Sequence, residues 1–175
     1  MTEPLLDRPA LEQAFALLAE KLRRRHVIGE VFIFGGAAMV MAYDSRRSTR
    51  DVDALFSPDG PVLESVREVA RELRLPDSWL NNQASSYVSS KAGKGRAVFD
   101  HPNLRVIATP AQHLLAMKVR AARAVRDADD IRILLDHLEL RTVDKVLELV
   151  SDYFPGEPLS ERSRMMLEDI IAERT

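Results

Sequence analysis

Cysteine is absent from the 175-residue chain. That excludes a disulfide framework, a thiolate nucleophile and a zinc site built on thiolates, so the chemistry must come from oxygen and nitrogen donors. No stretch approaches the roughly 20 consecutive apolar residues that a membrane-spanning helix needs. The opening MTEPLLDRPALEQ carries Glu3 and Asp7 and no long apolar run, unlike a signal or transit peptide. A soluble, cytoplasmic protein is the expectation. No internal repeat is visible. An excess of one charge is missing too: 25 Lys and Arg against 27 Asp and Glu leave a net charge of −2. As an average, that argues against a polyanion-binding protein, because such domains are usually strongly basic.

What is present suffices for a core. With 46% hydrophobic and 30% charged residues, the chain has the material for one globular domain with a small helical appendage. Apolar residues at helical spacing (Leu11, Phe15, Leu18, Leu22) predict an amphipathic helix over 8–25, with Pro9 near its start. Glu30-Val-Phe-Ile-Phe34 reads as a buried strand ended by Gly35-Gly36. Residues 37–43 favour helix, 44–50 form a polar loop, and 51–56 read as a strand stopped by Ser57-Pro-Asp-Gly60. A second helical stripe (Val62, Val66, Val69, Leu73) is closed by Pro76. Residues 81–96, rich in Asn, Ser, Lys and Gly, read as a mobile surface loop, followed by strands around 97–99 and 104–108. Between Pro110 and Pro155 there is neither glycine nor proline. That run therefore reads as two or three consecutive helices, with a final one near 160–173. The expected class is α+β: a core over 1–109, with a small mixed sheet, flanking helices and an N-terminal helix, then a helical region over 110–175 packed on it.

The most informative stretch is Phe34-Gly-Gly-Ala-Ala-Met, a gap, and then Thr49-Arg-Asp-Val-Asp-Ala-Leu-Phe56. On a strand, Asp51 and Asp53 project to one face with Cα atoms roughly 6.5 Å apart, so their carboxylates can converge on one cation. Oxygen ligands of this kind suit Mg²⁺ or Mn²⁺, which hold nucleotide phosphates while keeping several waters. A Gly35-Gly36 corner between strand and helix lets phosphate approach backbone N–H groups where the helix dipole favours negative charge.

This arrangement resembles the polymerase-β-type nucleotidyltransferase superfamily, in which a glycine pair precedes a metal-binding Asp-x-Asp on the next strand. Downstream, Ala108-Thr-Pro-Ala-Gln-His-Leu-Leu-Ala-Met-Lys118 and Lys118-x4-Arg123-x3-Asp127-x2-Asp130 resemble the AbiEii-like branch, which includes the MenT-type toxins of toxin–antitoxin pairs. The similarity spans residues 31–135. It implies a polymerase-β-like core followed by a C-terminal helical bundle. It also implies a metal-dependent enzyme that transfers NMP from an NTP to RNA, the tRNA 3′ end, and releases pyrophosphate, with a cognate antitoxin as partner. By the same resemblance Asp51 and Asp53 would bind metal, Lys118 would contact the nucleotide phosphates, and Asp127, or less strongly Asp130, would be the downstream acidic residue. Gly35, Gly36, Thr49, Lys118 and Arg123 would form the nucleotide site. Thr49 would be a place for regulatory phosphorylation by the antitoxin, its added charge falling beside the carboxylates. Two departures from the pattern are visible: the strand 104–108 carries no third carboxylate, and the gap from Gly36 to Asp51 is long.

Plainer readings stand beside these. Asp127 could cap a helix beginning there, Lys118, Arg120, Arg123 and Arg126 could be a solvated helix face, and the four histidines show no ligand spacing. The whole could also be a catalytically silent nucleotide-binding or protein-binding module. Nucleotidylation of a small cationic molecule would call for an acidic pocket, whereas the residues around the motif are basic. Divided along the chain, the net charge is −2 over 1–85, +7 over 86–126 and −7 over 127–175. The average thus hides a basic middle, in which Lys91, Lys94, Arg96, Arg120 and Arg126 are the candidate RNA contacts.

Overall fold

The computed structural model describes residues 3–44, 46–91, 93–121 and 123–175. They form seven α-helices and a five-stranded mixed sheet, the α+β class expected. Residues up to Ser86 together with Gly95–Thr109 make one compact unit, and Tyr87–Lys94 with Pro110–Thr175 make another. Among the described residues no helix is long and apolar enough to cross a membrane.

In the first unit, β1 (Leu6–Asp7) leads into α1 (Arg8–Arg24), whose N-terminus is capped by Asp7 accepting from the Ala10 N–H at 2.9 Å. Then come β2 (Gly29–Phe34), α2 (Gly35–Ala42), β3 (Ser48–Thr49), β4 (Val52–Ser57), α3 (Asp59–Leu73), β5 (Leu80–Asn81), β6 (Arg96–His101) and β7 (Leu104–Ala108). The sheet order is β5-β4-β2-β7-β6; β2 pairs antiparallel with β4 and parallel with β7. The short β1 pairs antiparallel with β3, setting Leu6 opposite Thr49.

The two helical stripes read from the sequence do the packing. Leu11, Phe15, Leu18 and Leu22 of α1 and Val62, Val66 and Val69 of α3 are fully buried, and along the rim Lys21 pairs with Glu72 and Arg25 with Glu68. Trp79 belongs to this core: its indole N–H donates to the Val66 carbonyl at 3.0 Å and its ring is tilted against Phe15, 6.4 Å away. Phe15 also meets Phe99 of β6. Hence α1 covers the sheet face that bears Phe99.

Gly95 enters β6 under a steric constraint. A methyl group there would lie 2.4 Å from both the Ala108 carbonyl oxygen and Ile107 Cγ2. Because one of those atoms is backbone, Gly95→Ala is expected to cost about 1–3 kcal/mol, read as a lower urea midpoint at unchanged slope. An unchanged midpoint would show that the strand entrance can yield.

In the second unit, α4 (Ala111–Ala121) packs against α5 (Ala124–His137), α6 (Val143–Tyr153) and α7 (Glu161–Ala172). Thr142 and Ser160 cap α6 and α7 with their hydroxyls. The expected single basic helix over 118–126 does not form. α4 ends at Ala121, and Arg123, at φ −88° and ψ 67°, is the N-cap of α5. Asp127 is therefore not a cap; it lies in the first turn of α5. His113 is buried and stacked on Tyr153 with ring centroids 4.9 Å apart. Its Nε2 accepts the Ser89 N–H at 3.1 Å, which ties the segment before Lys91 to α4. Burial pushes the His113 pKa down, which keeps the imidazole neutral and able to accept that bond.

Candidate active site

The glycine pair does not precede the helix but begins it. Gly35 and Gly36 are the first residues of α2, and the N-cap, Phe34, supplies no side-chain hydrogen bond. The first turn of α2 contains no acidic residue either. Its leading N–H groups have no intrahelical acceptor, so the helix mouth is a place where phosphate oxygens can be received.

The β2–β4 register carries a carboxylate to that mouth. Phe34 lies opposite Asp53, so the chain turns into α2 directly beside the Asp53 side chain. A methyl built on Gly35 would stand 3.1 Å from Asp53 Oδ2, and Gly35 has φ +63°. Both facts call for glycine: the backbone is left-handed and the carboxylate lies against the α-carbon. Gly36 is equally constrained, since a methyl there would be 2.7 Å from Thr49 Oγ1 and 3.0 Å from Arg46 Nη1. Thr49 in turn donates its hydroxyl to the Asp51 carbonyl at 3.0 Å. Asp51 lies just before β4, whereas the sequence placed it on the strand, and the alternation survives this shift: Asp51 and Asp53 are half-buried while Val52 and Ala54 are buried. Asp51, Asp53, Gly35, Gly36 and Thr49 thus form one cluster within the first unit. Arg46 belongs to it too, through its approach to Gly36.

The Asp53 carboxylate beside an open helix mouth, with Asp51 two residues earlier in the chain, fits a Mg²⁺ or Mn²⁺ ion that keeps most of its waters or takes substrate oxygens. Among the described residues no group of three His, Asp or Glu is gathered.

In the second unit, Lys118 is buried and its ammonium lies 3.0 Å from Asp127 Oδ1 and 2.9 Å from Asp130 Oδ2. The contact to Asp127 is a hydrogen bond. The three side chains are only 3–7% exposed. Asp130, the weaker candidate from sequence, is thus a full member of this triad. Its signal was the i, i+3 spacing from Asp127, which sets both on one helix face.

The candidate RNA contacts are divided between the two units. Lys91 and Lys94 are exposed, and the Lys91 ammonium stands 4.7 Å over the Tyr153 ring. Arg120 is half-buried over Phe154 and pairs with Glu157, so it is not part of a solvated face. Arg123 and Arg126 are exposed. Arg96, in the first unit, donates from Nη1 to the Ala42 carbonyl at 3.0 Å.

The model of one protein family, described as a nucleotidyltransferase of unknown function (DUF6036), matches residues 10–154. Among curated proteins and among solved structures nothing matches.

Proposed function

The chain belongs to that family of nucleotidyltransferases, and on this premise we propose that it transfers NMP from an NTP to an RNA acceptor, the 3′ end of tRNA, as the cytoplasmic toxin of a toxin–antitoxin pair. One observation carries the reaction type: the Asp53 carboxylate lies against Gly35 at the uncapped mouth of α2. A phosphate chain received by the helix N–H groups is thereby brought beside the acidic pair. Asp51 and Asp53 would hold Mg²⁺ or Mn²⁺, which supplies stabilisation of charge on the attacking and leaving oxygens. The RNA hydroxyl attacks the α-phosphorus in line, an oxygen–phosphorus bond forms, and the bond to the departing pyrophosphate breaks. Lys118, Asp127 and Arg123 are assigned to the site by resemblance, and a buried charged triad is a costly feature of the kind found at functional sites. The acceptor and the toxin role rest on the AbiEii-like and MenT-type resemblance together with the basic residues between 86 and 126.

Incubating the pure protein with total RNA and each labelled NTP tests reaction, nucleotide and acceptor together. Label entering the tRNA fraction, and lost with EDTA, is the expected result; no transfer to any RNA would overturn the reading. Magnesium-dependent NTP binding without turnover would instead support a silent nucleotide-binding module, the reading favoured by the two-carboxylate site.

Thr49 remains the proposed point of control. Its side chain is buried at 5% exposure, so modification requires β3 to part from β1, a two-residue ribbon with little stability of its own. Thr49→Glu places a negative charge against Gly36 and the Asp51 carbonyl. It is expected to lower transfer at least tenfold by raising KM for NTP, and wild-type rates would refute the control point.

A further inference from the structure

We propose that the open face of the sheet in the first unit holds the terminal base of the acceptor RNA, stacked on Phe32; this rests on the reading of the protein as an RNA nucleotidyltransferase. The face follows from strand alternation. Phe99 lies opposite Val106 and Val106 opposite Val31, so Val31 and Ile33 belong to the face that α1 covers, and both are fully buried. Glu30 and Phe32, which alternate with them, point the other way and are exposed. The registers set Phe32 opposite Leu55 on one side and Ile107 on the other, so a phenyl ring on the central strand stands between two aliphatic side chains.

The same face carries the acidic corner. Phe34 and Asp53 are the next like-facing pair along β2 and β4, about 7 Å from Phe32 and Leu55. From the mouth of α2 the order along the strands is Gly35, then Phe34 with Asp53, then Phe32 with Leu55. In-line displacement requires the attacking hydroxyl to stand on the far side of the α-phosphorus from the departing pyrophosphate. With the pyrophosphate at the N–H groups of α2, the hydroxyl comes from the side of Phe32, and the base one ribose away falls on the ring. That order gives the ring to the acceptor and not to the incoming NTP.

Size and charge select a base over other occupants. Phe32 is 38% exposed. For an aromatic side chain that leaves less than about 100 Å² open, enough for one base and far below the roughly 800 Å² per partner of a stable protein interface. Beyond the ring the face bears Glu30, Arg105 and Asp100, with Arg105 opposite both carboxylates in the strand registers. One guanidinium against two carboxylates offers little to a phosphate, whereas a neutral base stacks on an aromatic ring whatever its identity.

The test uses the full chain and two short fluorescent single-stranded RNAs, identical except that one has an abasic 3′-terminal nucleotide. Anisotropy is measured across a salt series for wild type, Phe32→Leu and Phe32→Trp, alongside the affinity for Mg·NTP. Loss of the terminal base should weaken binding to wild type about fivefold or more. Phe32→Leu keeps an apolar side chain without the ring. It should weaken binding of the intact RNA by as much, change nothing on the abasic one, and leave the salt slope and NTP affinity unmoved. Phe32→Trp should hold the intact RNA as well as wild type, with indole emission quenched by that RNA and not by the abasic one. Equal loss on both RNAs, no loss on either, unquenched emission, or no RNA binding by wild type would overturn the proposal. So would NTP affinity falling while RNA affinity holds, which would give the ring to the incoming nucleotide. The labelled-NTP assay decides the reaction separately. Base-dependent loss at Phe32 without transfer would sink the reaction and keep the stacking site; transfer with Phe32-independent binding would do the reverse.

Discussion

Asp53→Asn is expected to reduce nucleotidyl transfer by on the order of 10²–10³ or more. The substitution keeps the shape of a side chain that lies against Gly35 and removes only its charge. The β2–β4 register, with Phe34 opposite Asp53, involves backbone alone and survives. What is lost is the anionic oxygen next to the mouth of α2, and with it the means of holding a divalent cation beside the triphosphate. Asp51→Asn should act in the same direction, since Asp51 lies on the same side of the chain. Measured transfer of label within tenfold of wild type, in a protein with an unchanged thermal midpoint, would remove the acidic pair from the reaction. A matching loss of stability would instead mean that the carboxylate is structural.

Lys118→Ala is expected to destabilise the protein by about 3–5 kcal/mol. It removes an ammonium that lies against both Asp127 and Asp130, and both carboxylates are buried. Two buried carboxylates then lose that positive charge in a poorly solvated place, which costs far more than the pair contributed. Replacing all three charges together, as Lys118→Met with Asp127→Asn and Asp130→Asn, should recover most of that loss, because desolvation is then no longer demanded of ions. Chemical denaturation of the three proteins checks both statements. If the single substitution cost under about 1 kcal/mol, the triad would be solvated in solution. Activity adds an independent reading: a refolded triple variant that still failed to transfer NMP would place these groups in the reaction, not only in the packing.

The amphipathic helices were legible because their apolar stripes repeat at helical spacing, and β2, β4 and β7 because β-branched and aromatic runs are bounded by turn residues. The acidic pair and the glycine pair were legible for a related reason: each requirement falls on a few adjacent positions. Features set by the tertiary fold were not. β1, β3 and β5 are two residues each, too short to show any period. The break at Arg123 involves no glycine or proline, so the basic residues from Lys118 to Arg126 read as one helix. In the fold Lys118 is withdrawn into an ion triad while Arg123 and Arg126 stay exposed. Gly95 read as part of a polar loop, and only the approach of the Ala108 carbonyl shows why it is glycine.

The sheet order has a consequence for the time course of assembly. β2 is central, bounded on one side by β4, about twenty residues later in the chain, and on the other by β7, some seventy-five residues later. As the chain leaves the ribosome, the β2–β4 hairpin with α2 inside it can pair while β7 has not yet been synthesised, and the distant parallel pairing closes last. The Phe34–Asp53 pairing belongs to the early hairpin. The acidic corner can thus take shape in the nascent chain before its sheet is complete, and β7 afterwards fixes it in place.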